Sequence, residues 1–230
     1  MFQDLEVLAL IPARRHSKGI PHKNMVPLRG KPLLSWTIQA AKRSAYVDRV
    51  VVSTDDPYAA EYSLSCDCEV LSRPDDLAKD ESTASQVIAH ALEVAQTQGY
   101  LVYLQPTSPL RLPRDIDASL EKLQAVDASA VVSVSKAREH PEWMFRSQAN
   151  NGRLQPVLPL KDLKGRRQDL LPTYVLNGAI YAAKAQHLRP SGDFFQLPLV
   201  GYVMPYSRSI DIDDPEDLAE AARQLAARSA

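Results

Sequence analysis

The chain has 230 residues, of which 45% are hydrophobic and 24% charged, with a net charge of -1. This composition is typical of a globular protein with one sizeable domain, and it excludes a bulk electrostatic attraction to nucleic acid or to an anionic membrane. No apolar run approaches the roughly 20 residues of a membrane span, the first residues do not resemble a secretory signal, and Cys66 and Cys68 are too few for a disulfide framework or a zinc site. We therefore expect a cytoplasmic protein.

Short apolar runs alternate with amphipathic segments along the chain. The predicted strands are residues 6–11, 49–53, 101–105, 128–134 and 178–183, and the predicted helices are residues 32–45, 82–98, 113–125 and 215–227. This alternation predicts an α/β fold of βαβ units, in which a mostly parallel sheet has helices on both faces. Ligands of such sheets bind beyond the carboxyl ends of the strands.

One stretch interrupts this alternation. Residues 136–172 are polar and contain prolines, and Asn150-Asn151-Gly152 indicates a tight turn between two hairpin strands. We predict a single domain over residues 1–230, with an insertion at about 136–172 that is used in dimer contact, because so long an insertion in a compact domain usually has a function. An ordinary surface hairpin is the alternative.

A basic loop follows the first predicted strand. Residues 12–24 contain Arg14, Arg15, Lys18 and Lys23. Cations at the carboxyl end of a first strand suit a polyanion such as a nucleoside triphosphate. A solvated basic turn is the alternative interpretation of the charges alone.

Three further segments follow or end predicted strands: residues 53–56, 105–111 and 209–214. In the last, the alternation Ile210-Asp211-Ile212-Asp213 would place both carboxylates on one face of a strand end. Two hard oxygen ligands near a triphosphate loop predict a Mg²⁺ site, although Asp213 or Asp214 could instead cap the final helix. Together the segments favour a nucleotide, a metal and a phosphoryl-transfer step.

The order and spacing of these motifs resemble a known family, the acylneuraminate cytidylyltransferases. These are the CMP-sialic acid synthetases and the bacterial relatives that act on legionaminic and pseudaminic acids. The motifs are Ala13-Arg-Arg-His-Ser-Lys-Gly-Ile-Pro-His-Lys-Asn24, Ser53-Thr-Asp55, Arg73-Pro74, Leu104-Gln-Pro-Thr-Ser-Pro-Leu-Arg111, Asn177-Gly-Ala-Ile-Tyr181 and Ser209-Ile-Asp-Ile-Asp213.

The resemblance implies a Rossmann-like α/β fold and a homodimer whose protruding element reaches the sugar site of the neighbouring subunit. It also implies a reaction in which CTP and a nine-carbon 2-keto sugar acid give the CMP-sugar and pyrophosphate with Mg²⁺, a step of cell-surface polysaccharide biosynthesis. No nucleic acid or membrane partner is expected.

The resemblance also assigns residues to the nucleotide and the metal. The triphosphate would be held by Arg14, Lys18 and Lys23, and the rest of the nucleotide by Asn24, Arg73, Ser82 and Thr83. Asp211 and Asp213 would bind Mg²⁺, and Asp211 is also a candidate to accept the proton of the attacking hydroxyl; the catalytic set is thus Arg14, Lys18, Lys23 and Asp211.

For the sugar, the resemblance assigns Gln105 as a contact, Arg166 and Arg167 to the carboxylate, and Tyr181, Phe194 and Phe195 as walls of the acylamino end. Trp143 and Val175 depart from the pattern, because some sialic-acid enzymes carry a lysine and an arginine there.

The less polar pocket favours an alternative function as a CMP-legionaminic acid synthase, which acts on a 5,7-diacylamino sugar. A 3-deoxy-octulosonate cytidylyltransferase fits the motifs less well. A remote alternative from another class is a catalytically silent nucleotide-binding regulator.

Overall fold

The computed structural model describes residues 1–17, 19–79, 81–147, 152–159, 167–189 and 191–228. The strands are β1 (Val7–Pro12), β2 (Pro27–Leu28), β3 (Lys31–Pro32), β4 (Arg49–Thr54), β5 (Glu69–Ser72), β6 (Tyr100–Tyr103), β7 (Ala130–Lys136), β8 (Phe145–Ser147), β9 (Leu154–Pro156), β10 (Tyr174–Lys184) and β11 (Leu199–Val203). The helices are α1 (Leu33–Lys42), α2 (Pro57–Ser65), α3 (Ala84–Ala95), α4 (Pro113–Ala125), α5 (Ala185–Leu188) and α6 (Pro215–Arg228). No helix in these ranges is long and apolar enough to cross a membrane.

Seven strands form the central sheet in the order β11-β7-β10-β6-β1-β4-β5. Neighbouring strands are parallel except at β10, which runs antiparallel to both β6 and β7. The predicted α/β fold with a mostly parallel sheet is therefore confirmed. The carboxyl ends of β1, β4 and β6 lie at one edge, where the motif-bearing loops begin.

The first five residues of β1 are fully buried, and their side chains pack alternately against helices on the two faces of the sheet. Ala9 and Ile11 lie in one hydrophobic cluster with Leu34 of α1, whereas Leu10 lies in the other with Ile88 of α3. A strand covered on both sides has no solvent face, which explains why its sequence is continuously apolar. The prediction of helices on both faces is confirmed.

Several predicted boundaries move by a few residues. The helix predicted from residue 82 begins at Ala84, because the Thr83 side chain caps it. The helix predicted from residue 32 begins at Leu33, and Pro32 is the residue before it.

Six of the described strands and helices have no sequence prediction: β2, β3, β5, β11, α2 and α5. In α2 only Ala59 and Ser63 are buried, so the helix carries almost no amphipathic signal. Strand β11 is half-buried at the sheet edge and contains Gly201, which weakens its strand pattern.

Strand β10 is longer than predicted and runs against the parallel direction. Its register shifts between Leu176 and Tyr181, and Gly178 within this irregular stretch has a φ of +72°. Because β10 is antiparallel to β6, its amino-terminal half reaches the edge where β6 ends. The strand thus brings a glycine to the carboxyl-end edge of the parallel strands.

Between β7 and β10, strands β8 and β9 form a two-stranded antiparallel sheet in which Phe145 pairs with Pro156. The predicted turn residues Asn150 and Asn151 lie outside the described residues, and Gly152 has a φ of +67°. The use of this segment in a dimer, and the division of the chain into one domain with an insertion, stay predictions.

Candidate functional site

A cavity of about 310 Å³, here called the main cavity, lies beyond the carboxyl ends of β1 and β6. The structure brings together in its lining nine side chains that were predicted for the site: Arg14, Lys23, Asn24, Arg73, Ser82, Thr83, Gln105, Asp211 and Asp213. They come from five separate parts of the chain. Their individual roles stay predictions.

Hydrogen bonds that involve Arg14 hold the basic loop after β1 in place. The buried side chain of Asn24 donates a hydrogen bond of 2.9 Å to the carbonyl oxygen of Arg14. The Arg14 guanidinium donates a 3.4 Å bond to the carbonyl oxygen of Lys79, across the cavity. The loop therefore presents Arg14 at a defined position on the main cavity.

Lys23 and Asp213 form an ion pair although 190 positions separate them in sequence. The Lys23 Nζ lies 3.0 Å from Asp213 Oδ1 and donates a 2.7 Å bond to the carbonyl oxygen of Ile212. The Lys23 side chain is 11% exposed and that of Asp213 is 80% exposed. An incoming polyanion could thus take Lys23 as a partner and leave Asp213 to a cation.

The capping alternative applies to Asp214 rather than Asp213. Asp214 Oδ1 accepts hydrogen bonds of 2.8 and 2.9 Å from the backbone N–H groups of Glu216 and Asp217, in the first turn of α6. This is the usual side-chain cap of a helix start. The Asp213 carboxylate is left at the main cavity.

Residues 209–213 do not form a strand, but their side chains alternate as predicted. Ile210 and Ile212 are buried, while Asp211 and Asp213 line the main cavity. The backbone N–H of Ile212 donates a 2.8 Å bond to the carbonyl of Thr107, which holds this extended segment beside the loop after β6.

The pKa of Asp211 is raised above its ordinary value, mainly because the surrounding protein displaces water from the carboxyl group, although its side chain remains accessible from the cavity. A hydrogen bond with Thr107 opposes this effect, while the charge of Asp213 adds to it. A carboxyl that binds its proton more tightly than usual is a suitable acceptor for a hydroxyl proton.

Arg73 is buried beneath the main cavity at 6% exposure. It donates 2.9 and 3.3 Å bonds to the carbonyl and hydroxyl oxygens of Ser53 at the end of β4. Burial lowers its pKa, and the charge of Arg14 adds to the effect. Two cations that repel each other inside one cavity favour an anionic ligand, which would relieve the repulsion.

The helix α3 directs its amino terminus at the same cavity. Thr83 forms a capping box with Gln86, with bonds of 3.3 and 2.8 Å, and Ser82 donates a 3.0 Å bond to the carbonyl of Asp76. Thr83, Ser82 and Ala84 all line the main cavity. The positive end of the helix dipole therefore reinforces the cationic character of the site.

Gln105 and Asp211 both lie close to the backbone of Gly178. A Cβ atom at this position would lie 2.5 Å from Gln105 Oε1 and 3.2 Å from Asp211 Oδ2. A larger residue would thus displace one or both of these side chains. A glycine at this position therefore permits both the close approach of the two side chains and the left-handed φ.

A second, smaller cavity of about 120 Å³, here called the aromatic cavity, adjoins the main one. Tyr181, Phe194 and Phe195 line it, and Gln105 and Tyr103 line both cavities. The Tyr181 ring centroid lies 5.6 Å from that of Phe194 and 6.4 Å from that of Phe195. An apolar wall therefore stands beside the polar cavity.

Some predicted residues are not brought into these cavities. Lys18 and Arg166 lie outside the described residues, and Arg167 begins a short 3₁₀ helix that ends at Asp169, with its side chain undescribed. Trp143 and Val175 line neither cavity within the described chain.

Sequence reasoning missed four contributors: Tyr103, Thr107, Lys79 and Gly178. Tyr103 is the last residue of β6, and its position at a carboxyl strand end was the available signal. Thr107 lies in the motif after β6, where its hydroxyl hydrogen-bonds to Asp211. No sequence signal identifies Lys79, which contributes its side chain to the cavity and its carbonyl to Arg14.

The carboxylates of Asp211 and Asp213 are the groups suited to a divalent cation. Within the described ranges, no group of three or more histidine, cysteine or acidic side chains could hold a metal. Mg²⁺ commonly binds through one or two carboxylates, water and substrate phosphates. The pair thus fits a Mg²⁺ ion that arrives with a nucleotide, rather than an all-protein metal site.

Comparisons with known proteins agree with this geometry. An N-acylneuraminate cytidylyltransferase from Escherichia coli is 34% identical over 213 residues, which are 92% of this chain but 50% of the relative. The chain spans about half the length of the N-acylneuraminate cytidylyltransferases it matches in bacteria. A synthetase of CMP-2-keto-3-deoxy-manno-octonic acid, solved with CTP, has a TM-score of 0.74 over 97% of this chain and 99% of its own, at 16% identity, and so shares the fold.

Two matches decide the family. The CMP-N,N'-diacetyllegionaminic acid synthase from Legionella pneumophila is 35% identical over 221 residues, which are 94% of both chains. The family model described as cytidylyltransferase matches residues 8–156. The chain therefore belongs to the cytidylyltransferase family.

Proposed function

We propose that this chain transfers the cytidylyl group of CTP to the anomeric hydroxyl of a nine-carbon 2-keto sugar acid, an N-acylneuraminate or a related nonulosonic acid, and releases pyrophosphate. One observation carries the proposal. A cavity lined by Arg14, Lys23 and Arg73 together with Asp211 and Asp213 adjoins an aromatic cavity, and Gln105 lines both. The arrangement suits a triphosphate, a cation and a sugar acid side by side.

The triphosphate role rests on Arg14, Lys23 and Arg73, with Asn24 as the support of the loop. Negative charge builds on pyrophosphate as it leaves, so fixed cations stabilise the transition state more than the ground state. The amino terminus of α3, with Ser82 and Thr83 in the lining, is proposed to face the nucleoside. Lys18 is proposed to join them from the same loop.

In the reaction, the sugar hydroxyl oxygen forms a bond to the α-phosphorus while the bond from that phosphorus to the β-bridging oxygen breaks. We assign the hydroxyl proton to the Asp211 carboxylate, whose pKa is raised by loss of water and by the nearby charge of Asp213. The Asp211 carboxylate lies in the main cavity beside Gln105 and Gly178, so base and sugar-binding side chain are neighbours.

Asp211 and Asp213 are also proposed to bind Mg²⁺. When bound, the ion would neutralise charge on the phosphates and on the departing pyrophosphate. The ion pair of Lys23 with Asp213 supports this role, because the carboxylate already has a positive charge beside it. Asp211 is thus proposed as base, as metal ligand or as both.

The acylamino end of the sugar is proposed to pack on Tyr181, Phe194 and Phe195, with Gln105 as a polar contact. Arg167 is proposed for the sugar carboxylate. A legionaminic acid rather than a sialic acid is the specific alternative, because the Legionella relative named for that sugar matches over 94% of both chains.

The wider setting follows from the substrates. CTP is a cytoplasmic metabolite, so we propose a cytoplasmic enzyme of cell-surface polysaccharide biosynthesis. A homodimer is proposed from the exposed apolar residues between β7 and β10, among them Met144 and Phe145. Neither nucleic acid nor a membrane is proposed as a partner.

The test is pyrophosphate release with CTP, Mg²⁺ and a panel of sugar acids: N-acetylneuraminic acid, 5,7-diacetylated nonulosonic acids and 3-deoxy-octulosonic acid. Release with a nonulosonic acid supports the proposal, and the Asp211→Asn variant serves as the inactive control. Release with the eight-carbon acid alone would contradict the nine-carbon assignment. Nucleotide binding without turnover on any sugar acid would favour a silent regulator.

A further inference from the structure

A third cavity lies apart from the two described above. It has a volume of about 220 Å³ and is formed by α1, the turn before α1, the chain leading into α4, and the end of α6. We call it the arginine cavity, because it is lined by Arg29, Arg43, Arg111 and Arg228 together with Trp36. It shares no lining residue with the main cavity or the aromatic cavity.

The charge of this cavity is unusual for a chain whose net charge is -1. Four arginines line it, and no Asp or Glu is found among its described lining residues. Two carboxylates influence Arg111 through their charge, Asp211 and, less strongly, Asp115, but neither lines this cavity. Asp115 is fully buried and accepts bonds of 2.7 and 3.0 Å from Arg208. Burial lowers the pKa of Arg228, and the charges of neighbouring arginines lower it further.

Arg111 is the inner member of the set, with 3% exposure. Its Nη2 donates to the carbonyl oxygens of Gln105 and Ser108 and to the hydroxyl of Thr37, the last two at 2.9 and 3.2 Å. Its Nε and Nη1 have no hydrogen-bond partner among the described residues. Burial lowers the pKa of Arg111 to about 9, although the charges of Asp211 and Asp115 oppose the effect.

A buried cation with unused donors is costly unless an anion pairs with it. Arg29 and Arg43 are the outer members. Both are exposed, and their side chains make no hydrogen bond or ion pair with another described residue, so they are available to capture an anion. Guanidinium groups match phosphate oxygens in a two-pronged geometry. The indole of Trp36 provides a flat wall beside them.

We propose that the arginine cavity is a second anion site, distinct from the main cavity, which binds a small phosphate-bearing anion. Arg111 joins this site to the loop after β6, since the carbonyls it holds belong to Gln105 and Ser108. Gln105 lines the main cavity. An anion on the other side of Arg111 would therefore stabilise the loop that carries Gln105.

Tryptophan emission provides a local test with inorganic pyrophosphate as the probe. The chain has two tryptophans, so the Trp143→Phe variant retains Trp36 as its only tryptophan. In this parent, pyrophosphate is expected to change the emission in a saturable manner. Arg29→Ala/Arg43→Ala should raise the dissociation constant at least about tenfold, as expected from the loss of charged hydrogen-bond donors.

Two further variants separate this site from other binding. Arg223→Ala removes one positive charge from α6 outside the cavity and should leave the dissociation constant within about twofold. Arg14→Ala alters the main cavity and should keep the Trp36 response. The proposal is overturned if the double variant binds like its parent, or if Arg14→Ala removes the whole response. Circular dichroism checks folding, and if the double variant does not fold, Arg43→Ala alone decides by the same criterion.

Discussion

Substitution of Gly178 by alanine tests whether the position of Gln105 matters to the sugar. The added Cβ would lie 2.5 Å from Gln105 Oε1, which is about 1 Å closer than ordinary van der Waals contact. Since Oε1 is the end of a flexible side chain, the Gln105 amide is expected to move by about that distance. A misplacement of about 1 Å in an active site can reduce the rate about 10²-fold.

The Gly178→Ala substitution should change the kinetics with respect to the sugar acid but not the KM for CTP. We expect kcat/KM for the sugar acid to fall about 10²-fold, while the KM for CTP changes little, because the atoms nearest the new methyl group belong to Gln105 and Asp211 and not to Arg14. Both constants come from pyrophosphate-release kinetics, with each substrate varied in turn.

Gly30→Ala is the matched control. Gly30 has a φ of +80°, close to the +72° of Gly178, but a Cβ there meets nothing within 4 Å. Both variants should lose about 1 kcal/mol of unfolding free energy from the left-handed backbone, and only Gly178→Ala should lose activity. Equal activity in the two variants would refute the role assigned to Gln105.

Four other outcomes are expected. Asp213→Ala should abolish Mg²⁺-dependent pyrophosphate release with an unchanged circular dichroism spectrum, since its side chain is 80% exposed and is proposed as a metal ligand; near-normal turnover would reject that role. Lys23→Ala and Arg14→Ala should each lower kcat at least about tenfold, and Arg15→Ala less, in steady-state assays; an indispensable Arg15 with a dispensable Arg14 would mean that the loop faces the other way. Asp115→Ala should reduce the free energy of urea unfolding by about 3–5 kcal/mol, because it leaves a partly buried arginine unpaired; a loss under about 1 kcal/mol, as for a surface pair, would contradict this. Specificity constants for 5,7-diacylated nonulosonic acids should at least equal that for N-acetylneuraminic acid, and a preference for the latter above about a hundredfold would reject the legionaminate alternative.

Local pattern alone was enough for the main features of the sheet and for the alternation of side chains in the segment that carries Asp211 and Asp213. The apolar run of β1 indicated a strand buried on both faces, and the alternation through Ile210, Asp211, Ile212 and Asp213 indicated which side chains share a face. These inferences succeed because side-chain direction has a fixed period along an extended chain. The motifs placed Arg14 and Gln105 at strand ends for the same reason.

Contacts between distant parts of the chain could be identified only from the tertiary structure. The antiparallel direction of β10 and the approach of Gly178 to Gln105 and Asp211 depend on how distant strands pair, which has no local sequence period. The pairing of Lys23 with Asp213 likewise joins parts of the chain 190 positions apart. The burial of Arg111 is set by the packing of α1, the start of α4 and the end of α6 around one side chain rather than by its neighbours in sequence.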